Sequence, residues 1–294
     1  MLKEALTQKK IMVFDGAMGT RLQEIGLPAG CPPEEWNLSH PDEVASVHRS
    51  YVDAGSDLIQ TNTFGANRIR LKRAGLDDKL EEINRQAFLI AQKSKKQETL
   101  LAASVGPLGE FIQPYGDLSP AEAKTVFSEQ MTILYNLGIR IFHLETFNSL
   151  EEAQIAIQVA QQLGGEVIAS FSFQPRGGNV FTTLMGENPQ TISQTMANQP
   201  ISALGANCGT GIKEMIEIIR IYREHYPGFI SCKPNAGIPQ LIEGKLTYTE
   251  TADDFKRGAH QLVQLRTNLI GGCCGTNQDY ISAIRAAIDQ EKVS

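Results

Sequence analysis

Eight short apolar runs recur along this chain, separated by helix-spaced segments, and this alternation constrains the fold more than any other feature. The runs read as strands over Lys10–Asp15, Asp57–Phe64, Leu100–Val105, Ile139–Leu144, Val167–Phe173, Ile201–Ala206, Phe229–Lys233 and Thr267–Ile270. Their continuous apolar character fits strands buried on both faces, as in a parallel sheet. Helical spacing fills the gaps over Pro41–Ala54, Leu80–Gln92, Ser119–Leu137, Leu150–Leu163, Pro189–Asn198, Ile212–Tyr222, Ala252–Leu265 and Tyr280–Asp289. Gly55, Gly138 and Gly164-Gly165 stop helices, and Pro120 sits where a first turn tolerates proline. Strict alternation implies an α/β chain with a parallel sheet, and eight units in 294 residues imply a (β/α)8 TIM barrel, one domain over 1–294. An open doubly wound sheet is the alternative. It often carries a phosphate fingerprint after its first strand, but Asp15-Gly16-Ala17-Met18-Gly19-Thr20 is not GxGxxG.

In such a barrel the C-terminal strand ends share one face, where active sites are built. The polar residues at or just past those ends are Asp15, Asn62 and Thr63, Glu145, Asn207 and Cys208, Asn235, and Cys273 with Cys274. Each alone has a plain explanation as a cap or turn residue. Asp15 in particular could cap a helix or hold a ligand's amine. Together they would converge on one mouth.

Cys273-Cys274 lies in Gly271-Gly272-Cys273-Cys274-Gly275-Thr276, and Cys208 ends another strand before Gly209. Adjacent side chains on a regular strand point to opposite faces, so the glycines must let the chain bend if both thiols are to meet one ion. Three thiolates with an open fourth position are the arrangement of a catalytic rather than structural zinc. The plain alternative is that these are small buried apolar residues, since adjacent cysteines are not the usual CxxC spacing.

A zinc held by three thiolates is a poor activator of water but keeps a bound substrate thiol deprotonated. The site therefore suits alkyl transfer to sulfur. Asp15 and Glu145 could clamp an α-ammonium by charge-assisted hydrogen bonds, and amides of the Gly16–Thr20 loop could take an α-carboxylate. A thiol amino acid satisfies all three elements.

The totals narrow the partners. A net charge of -6 and a pI near 5.5 argue against nucleic acid. No apolar run is long enough to span a membrane. Five cysteines, an odd number, and an N-terminus without a signal-peptide core suggest a reducing cytoplasm.

The motifs Asp15-Gly16-Ala17-Met18-Gly19-Thr20, Thr61-Asn62-Thr63-Phe64, Glu145-Thr146-Phe147, Asn207-Cys208, Pro234-Asn235-Ala236-Gly237 and Gly271–Thr276 resemble those of the homocysteine S-methyltransferase family. Within it the chain is most similar to the homocysteine-binding barrel that begins cobalamin-dependent methionine synthases. The resemblance implies methyl transfer to homocysteine, giving methionine. It implies Cys208, Cys273 and Cys274 as zinc ligands, Asp15 and Glu145 on the substrate amine, and Gly16 and Ala17 near its carboxylate. Thr63 joins the substrate set, and Asn235 fills the fourth zinc position when substrate is absent. Cys31 and Cys232 match no ligand motif. The length has no room for folate, corrinoid and reactivation domains, and no histidine lies in a DxHxxG corrinoid motif. The methyl donor is then methylcobalamin on a separate corrinoid or folate-linked module, or a free donor such as S-methylmethionine or betaine.

Three other functions fit parts of the sequence. A phosphorylated metabolite could bind at Gly271-Gly272, although no lysine or arginine lies in that loop. The chain could bind homocysteine and turn over only with a corrinoid protein. A closed structural zinc would need a fourth permanent ligand, which no cysteine or histidine past a strand end supplies.

Overall fold

The computed structural model describes residues 1–242 and 245–291; the expected bounds of 1–294 run past the last of these. Eight parallel strands form the barrel: β1 (Met12–Val13), β2 (Leu58–Gln60), β3 (Leu100–Val105), β4 (Ile141–Phe147), β5 (Glu166–Phe171), β6 (Ala203–Asn207), β7 (Phe229–Lys233) and β8 (Leu269–Ile270). Neighbours in sequence are neighbours in the sheet, and β8 returns to pair with β1. A bridge between Phe14 and Leu58 closes the ring. A TIM barrel in one domain is therefore the architecture, as the alternation implied.

The first, second and eighth strands are shorter than their apolar runs: the second stops at Gln60, where the chain turns into its mouth loop, whereas the eighth starts late, at Leu269, and the first is trimmed at both ends. β4 is longer. It runs past Leu144 to Phe147, with a register shift between those residues and Thr146 at φ 64°. The Thr146 amide leaves the ladder and donates to Asn207 Oδ1 at 2.8 Å. Such an irregularity re-aims side chains, and here it carries Glu145. Helices over Leu80–Ser94, Pro120–Asn136, Leu150–Gln162, Ile212–His225 and Ala252–Gln264 follow the expected spacing closely. Two antiparallel hairpins, Gln174–Pro175 with Phe181–Thr182 and Gln240–Ile242 with Lys245–Thr247, follow β5 and β7 at the C-terminal end and were not expected.

Successive strand residues face opposite sides. The outward set, including Val13, Phe142, Leu144, Val167, Leu204 and Ile230, joins the helices in the main core. The inward set divides by height. Met12, Leu58, Ala102, Ile141, Ile168, Ala203 and Leu269 form a separate apolar cluster at the N-terminal end. An unexpected helix, Leu2–Lys9, closes that end by burying Leu2 and Leu6 against the cluster. Glu166 accepts from the amides of Leu2 and Lys3 and anchors this plug.

Candidate active site

Two residues further along the same strands the barrel interior turns polar: Gln60 follows Leu58, Ser104 follows Ala102, His143 follows Ile141 and Ser170 follows Ile168. These side chains form one hydrogen-bonded chain. His143 Nδ1 donates to Gln60 Oε1 at 2.7 Å, and its Nε2 accepts from Ser170 Oγ at 2.9 Å. Burial, then the charge of Lys233, holds His143 well below its ordinary pKa, so the ring is neutral. Gln60 Nε2 donates to Glu145 Oε1 at 2.7 Å, and Ser104 Oγ donates to the same oxygen. Gly205 is inward too, and any side chain there would collide with the Ser170 hydroxyl.

Glu145 stands at the top of this chain, 5% exposed. Burial raises its pKa to about 7, partly offset by Lys233 and reinforced by Cys273. Its Oε2 is 3.5 Å from Asn207 Nδ2, which also lies 2.7 Å from Thr146 Oγ1 and 3.8 Å from Cys273 Sγ. One amide nitrogen thus bridges the carboxylate and the thiol cluster.

Cys208, Cys273 and Cys274 place their sulfurs within 4.8 Å of one another. The backbone makes this meeting possible. Cys208 takes a left-handed φ of 59°, uncommon outside glycine. The loop after β8 bends at once: Gly272 N donates to Asp15 O, Cys273 N to Pro234 O at 2.7 Å, and Ala236 N to Cys274 O at 2.9 Å. Cys208 N donates to Lys233 O at 3.1 Å. The loops after β1, β6, β7 and β8 are tied together around the sulfurs.

The triad shares negative charge. Hydrogen bonds from Cys273 and Cys274 pull Cys208 down to about 3. The hydrogen bond with Cys208 pushes Cys273 up to about 12, and those with Cys208 and Cys273 push Cys274 upward. Without a cation one sulfur is ionised at the others' expense, so full ionisation of the three needs positive charge among them. Sulfurs on a tetrahedral zinc lie about 3.8 Å apart for bonds of about 2.3 Å, within the observed span. Asn235 Oδ1, buried and without a partner among the described residues, adds an oxygen beside them, and the Asn235 side chain bonds Cys208. The donors fit a zinc ion.

The other expected residues fall as follows. Asp15 is buried, but its Oδ1 is 2.6 Å from Lys233 Nζ and its Oδ2 accepts from Gln60 N at 2.8 Å. Burial raises its pKa, and the ammonium offsets part of that rise. Gly16 packs so closely on Tyr51 that a Cβ would sit 2.7 Å from the ring. Ala17 N donates to Thr276 Oγ1 at 3.2 Å, and Tyr51 Oη donates to Ala17 O at 2.5 Å. Thr63 lies a layer back: it is fully buried, and its hydroxyl donates to Ser104 O and meets Thr61 Oγ1. Cys31 is exposed and Cys232 is buried on the outward face, both away from the cluster.

Sequence reasoning missed Lys233, Gln60, Ser104, His143 and Tyr248. The first four carry a readable signal, a polar residue at period two inside an apolar run. Tyr248 carries none: it packs on Gly275 and bonds Cys274 only because the hairpin after β7 folds back.

A (β/α)8 barrel with a three-thiol cluster and a buried carboxylate at its C-terminal mouth is the class that fold and site define. The chain belongs to the homocysteine S-methyltransferase family, whose profile matches residues 12–288. It is 29% identical to the methionine synthase of Mycobacterium leprae and 28% identical to that of Mycobacterium tuberculosis, across 98% of this chain in each case. The chain spans 25% of the length of each of those relatives. The oxidised form of the homocysteine methyltransferase MmuM from Escherichia coli superposes with a TM-score of 0.80 at 22% identity, covering 97% of this chain and 99% of that one. Its metallated form gives 0.77 at 20% identity, covering 97% and 99%.

Proposed function

We propose that this barrel transfers a methyl group to the thiol of homocysteine, forming methionine, on a zinc site made by Cys208, Cys273 and Cys274. The observation that carries the reading is the bridge from cluster to carboxylate. Asn207 Nδ2 lies 3.8 Å from Cys273 Sγ and 3.5 Å from Glu145 Oε2. A ligand whose thiol and ammonium are separated by three carbons would reach both ends of that bridge.

The three cysteines would supply sulfur ligands and leave a fourth position, which Asn235 Oδ1 would take when substrate is absent. When bound, zinc supplies a place where a thiol loses its proton near neutral pH, whereas a free thiol has a pKa of roughly 8.5. Glu145 holds the α-ammonium, itself held by Ser104, Gln60 and Asn207. The Gly16–Ala17 loop flanks the place of the α-carboxylate, and Thr63 supports the wall behind Ser104. Asn207 donates toward Cys273 and stabilises negative charge on sulfur. These residues fix the thiolate for in-line attack on a methyl carbon arriving from the open side of the mouth.

Two donors fit. Methylcobalamin on a separate corrinoid- or folate-bearing module is favoured by the match to a quarter of each methionine synthase. S-methylmethionine or betaine would serve a barrel working alone. Zinc-loaded protein, incubated with homocysteine and each donor in turn, should form methionine, detected by mass spectrometry, with one class and not the other. Methionine from none of them, methylcobalamin included, would remove methyl transfer.

A further inference from the structure

Lys233 ends β7 with its side chain inside the barrel, 1% exposed. Its ammonium is 2.6 Å from Asp15 Oδ1 and 3.9 Å from the centroid of the Phe14 ring. With Gln60 N on Oδ2, both oxygens of Asp15 are engaged within the protein. Glu145 differs. Its Oε1 takes two donors, but among the described residues its Oε2 has only the 3.5 Å contact with Asn207, on the side of the thiol cluster.

We infer that Lys233 is a positioning residue that takes up the charge of Asp15 and leaves Glu145 as the one carboxylate that reads the substrate's amine. The inference rests on the homocysteine reading above and deepens it. A substrate ammonium on Asp15 would lie within a few ångströms of Lys233 Nζ, and two cations in a desolvated site repel strongly. On Glu145 the charges balance. Asp15 with Lys233 is neutral as a pair, and the substrate ammonium matches the single remaining carboxylate. Two free carboxylates would leave one uncompensated charge in a buried site. Asp15 then acts through the floor it builds, holding Lys233 over Phe14 and the β2 amide at Gln60.

The test compares homocysteine with 4-mercaptobutanoate, which has the same thiol and carboxylate but no amine, by calorimetric titration of zinc-loaded protein. Wild type should prefer homocysteine by roughly ten- to a hundredfold, the range for a charge-assisted hydrogen bond. In Glu145→Gln the preference should collapse toward one. In Asp15→Asn/Lys233→Met it should stay within about twofold of wild type. Lys233→Met alone should melt well below the double variant, because it strands Asp15. Should the double variant not fold, Asp15→Asn/Lys233→Gln, which keeps an acceptor for Gln60 N and leaves no unpaired ammonium, carries the same comparison. Loss of the preference in a variant lacking the Asp15 charge would place the amine on Asp15 and overturn the assignment, as would a double variant no more stable than Lys233→Met. Wild type that binds neither thiol would instead overturn the homocysteine reading.

Discussion

The two ends of the barrel use the same strands and alternation but are filled differently. At the N-terminal end the inward residues are Met12, Leu58, Ala102, Ile141 and Ile168, sealed by Leu2 and Leu6. Two residues on, the inward set is Gln60, Ser104, His143 and Ser170, and above them lie Glu145, Asp15, Lys233 and the three cysteines. The lower end gains from burying apolar surface, about 25 cal/mol per Å². The upper end bears the desolvation of an ion pair, a carboxyl and three thiols, which destabilises it unless each group has partners. Stability and chemistry are thus segregated along the barrel axis, and each can be broken without the other.

The largest effect should come from the mouth. Cys208→Ala should abolish methyl transfer and drop bound zinc, measured by metal analysis, to background, since two thiolates would remain where catalytic zinc has three protein ligands. Its melting temperature without metal should stay near wild type. Full zinc and full activity in this variant would refute the site. Next is the floor. Leu6→Ala should cost about 2–5 kcal/mol by denaturant unfolding, with homocysteine affinity unchanged in the folded fraction. A fall in affinity matching the stability loss would show that the two ends are coupled.

The pH response should also divide. Glu152, at the start of the Leu150–Gln162 helix, accepts from Leu108 N in the mouth loop after β3 at 2.7 Å. Burial raises its pKa to about 7 from 4.5. A folded pKa above the unfolded one gives stability that is full below about 4.5 and lost as pH rises through 7, by up to about 3 kcal/mol. Glu152→Gln should flatten that decline in urea midpoints between pH 4.5 and 7.5, and parallel profiles would contradict it. His48, buried in the outer helix Pro41–Asp53, has both ring nitrogens without partners among the described residues and a pKa lowered to about 4 by burial. Its sign is opposite. Its contribution is present above about 6.5 and lost as pH falls through 4, about 2 kcal/mol by pH 5. His48→Phe should reduce acid sensitivity there and leave the upper pH limb unchanged.

The alternation made the barrel legible, because eight apolar runs with helical spacing between them leave few other folds. The thiol cluster was legible for the same reason: once the strand ends share a face, Cys208 and Cys273-Cys274 must approach one another. Other features depended on long-range geometry. The plug Leu2–Lys9 is too short to announce itself, and its two buried leucines matter only because the barrel floor is open. Glu145 was expected just past an apolar run and lies within β4, where the register shift beside it accompanies a hydrogen bond from Thr146 N to Asn207, 61 residues away. Lys233 was passed over as the last residue of the run Phe229–Lys233, and nothing local says that it meets Asp15 across 218 residues. If Lys233 takes up the charge of Asp15, the amine clamp narrows from two carboxylates to one.

The most direct measurement replaces zinc with cobalt and follows sulfur-to-cobalt charge-transfer absorption during a homocysteine titration. A saturable change at one equivalent of metal, absent in Cys208→Ala, is the expected result and would show an open position that takes the substrate thiol. Cobalt uptake with no response to homocysteine would contradict the thiol-activating role, and no uptake at all would contradict the metal site itself.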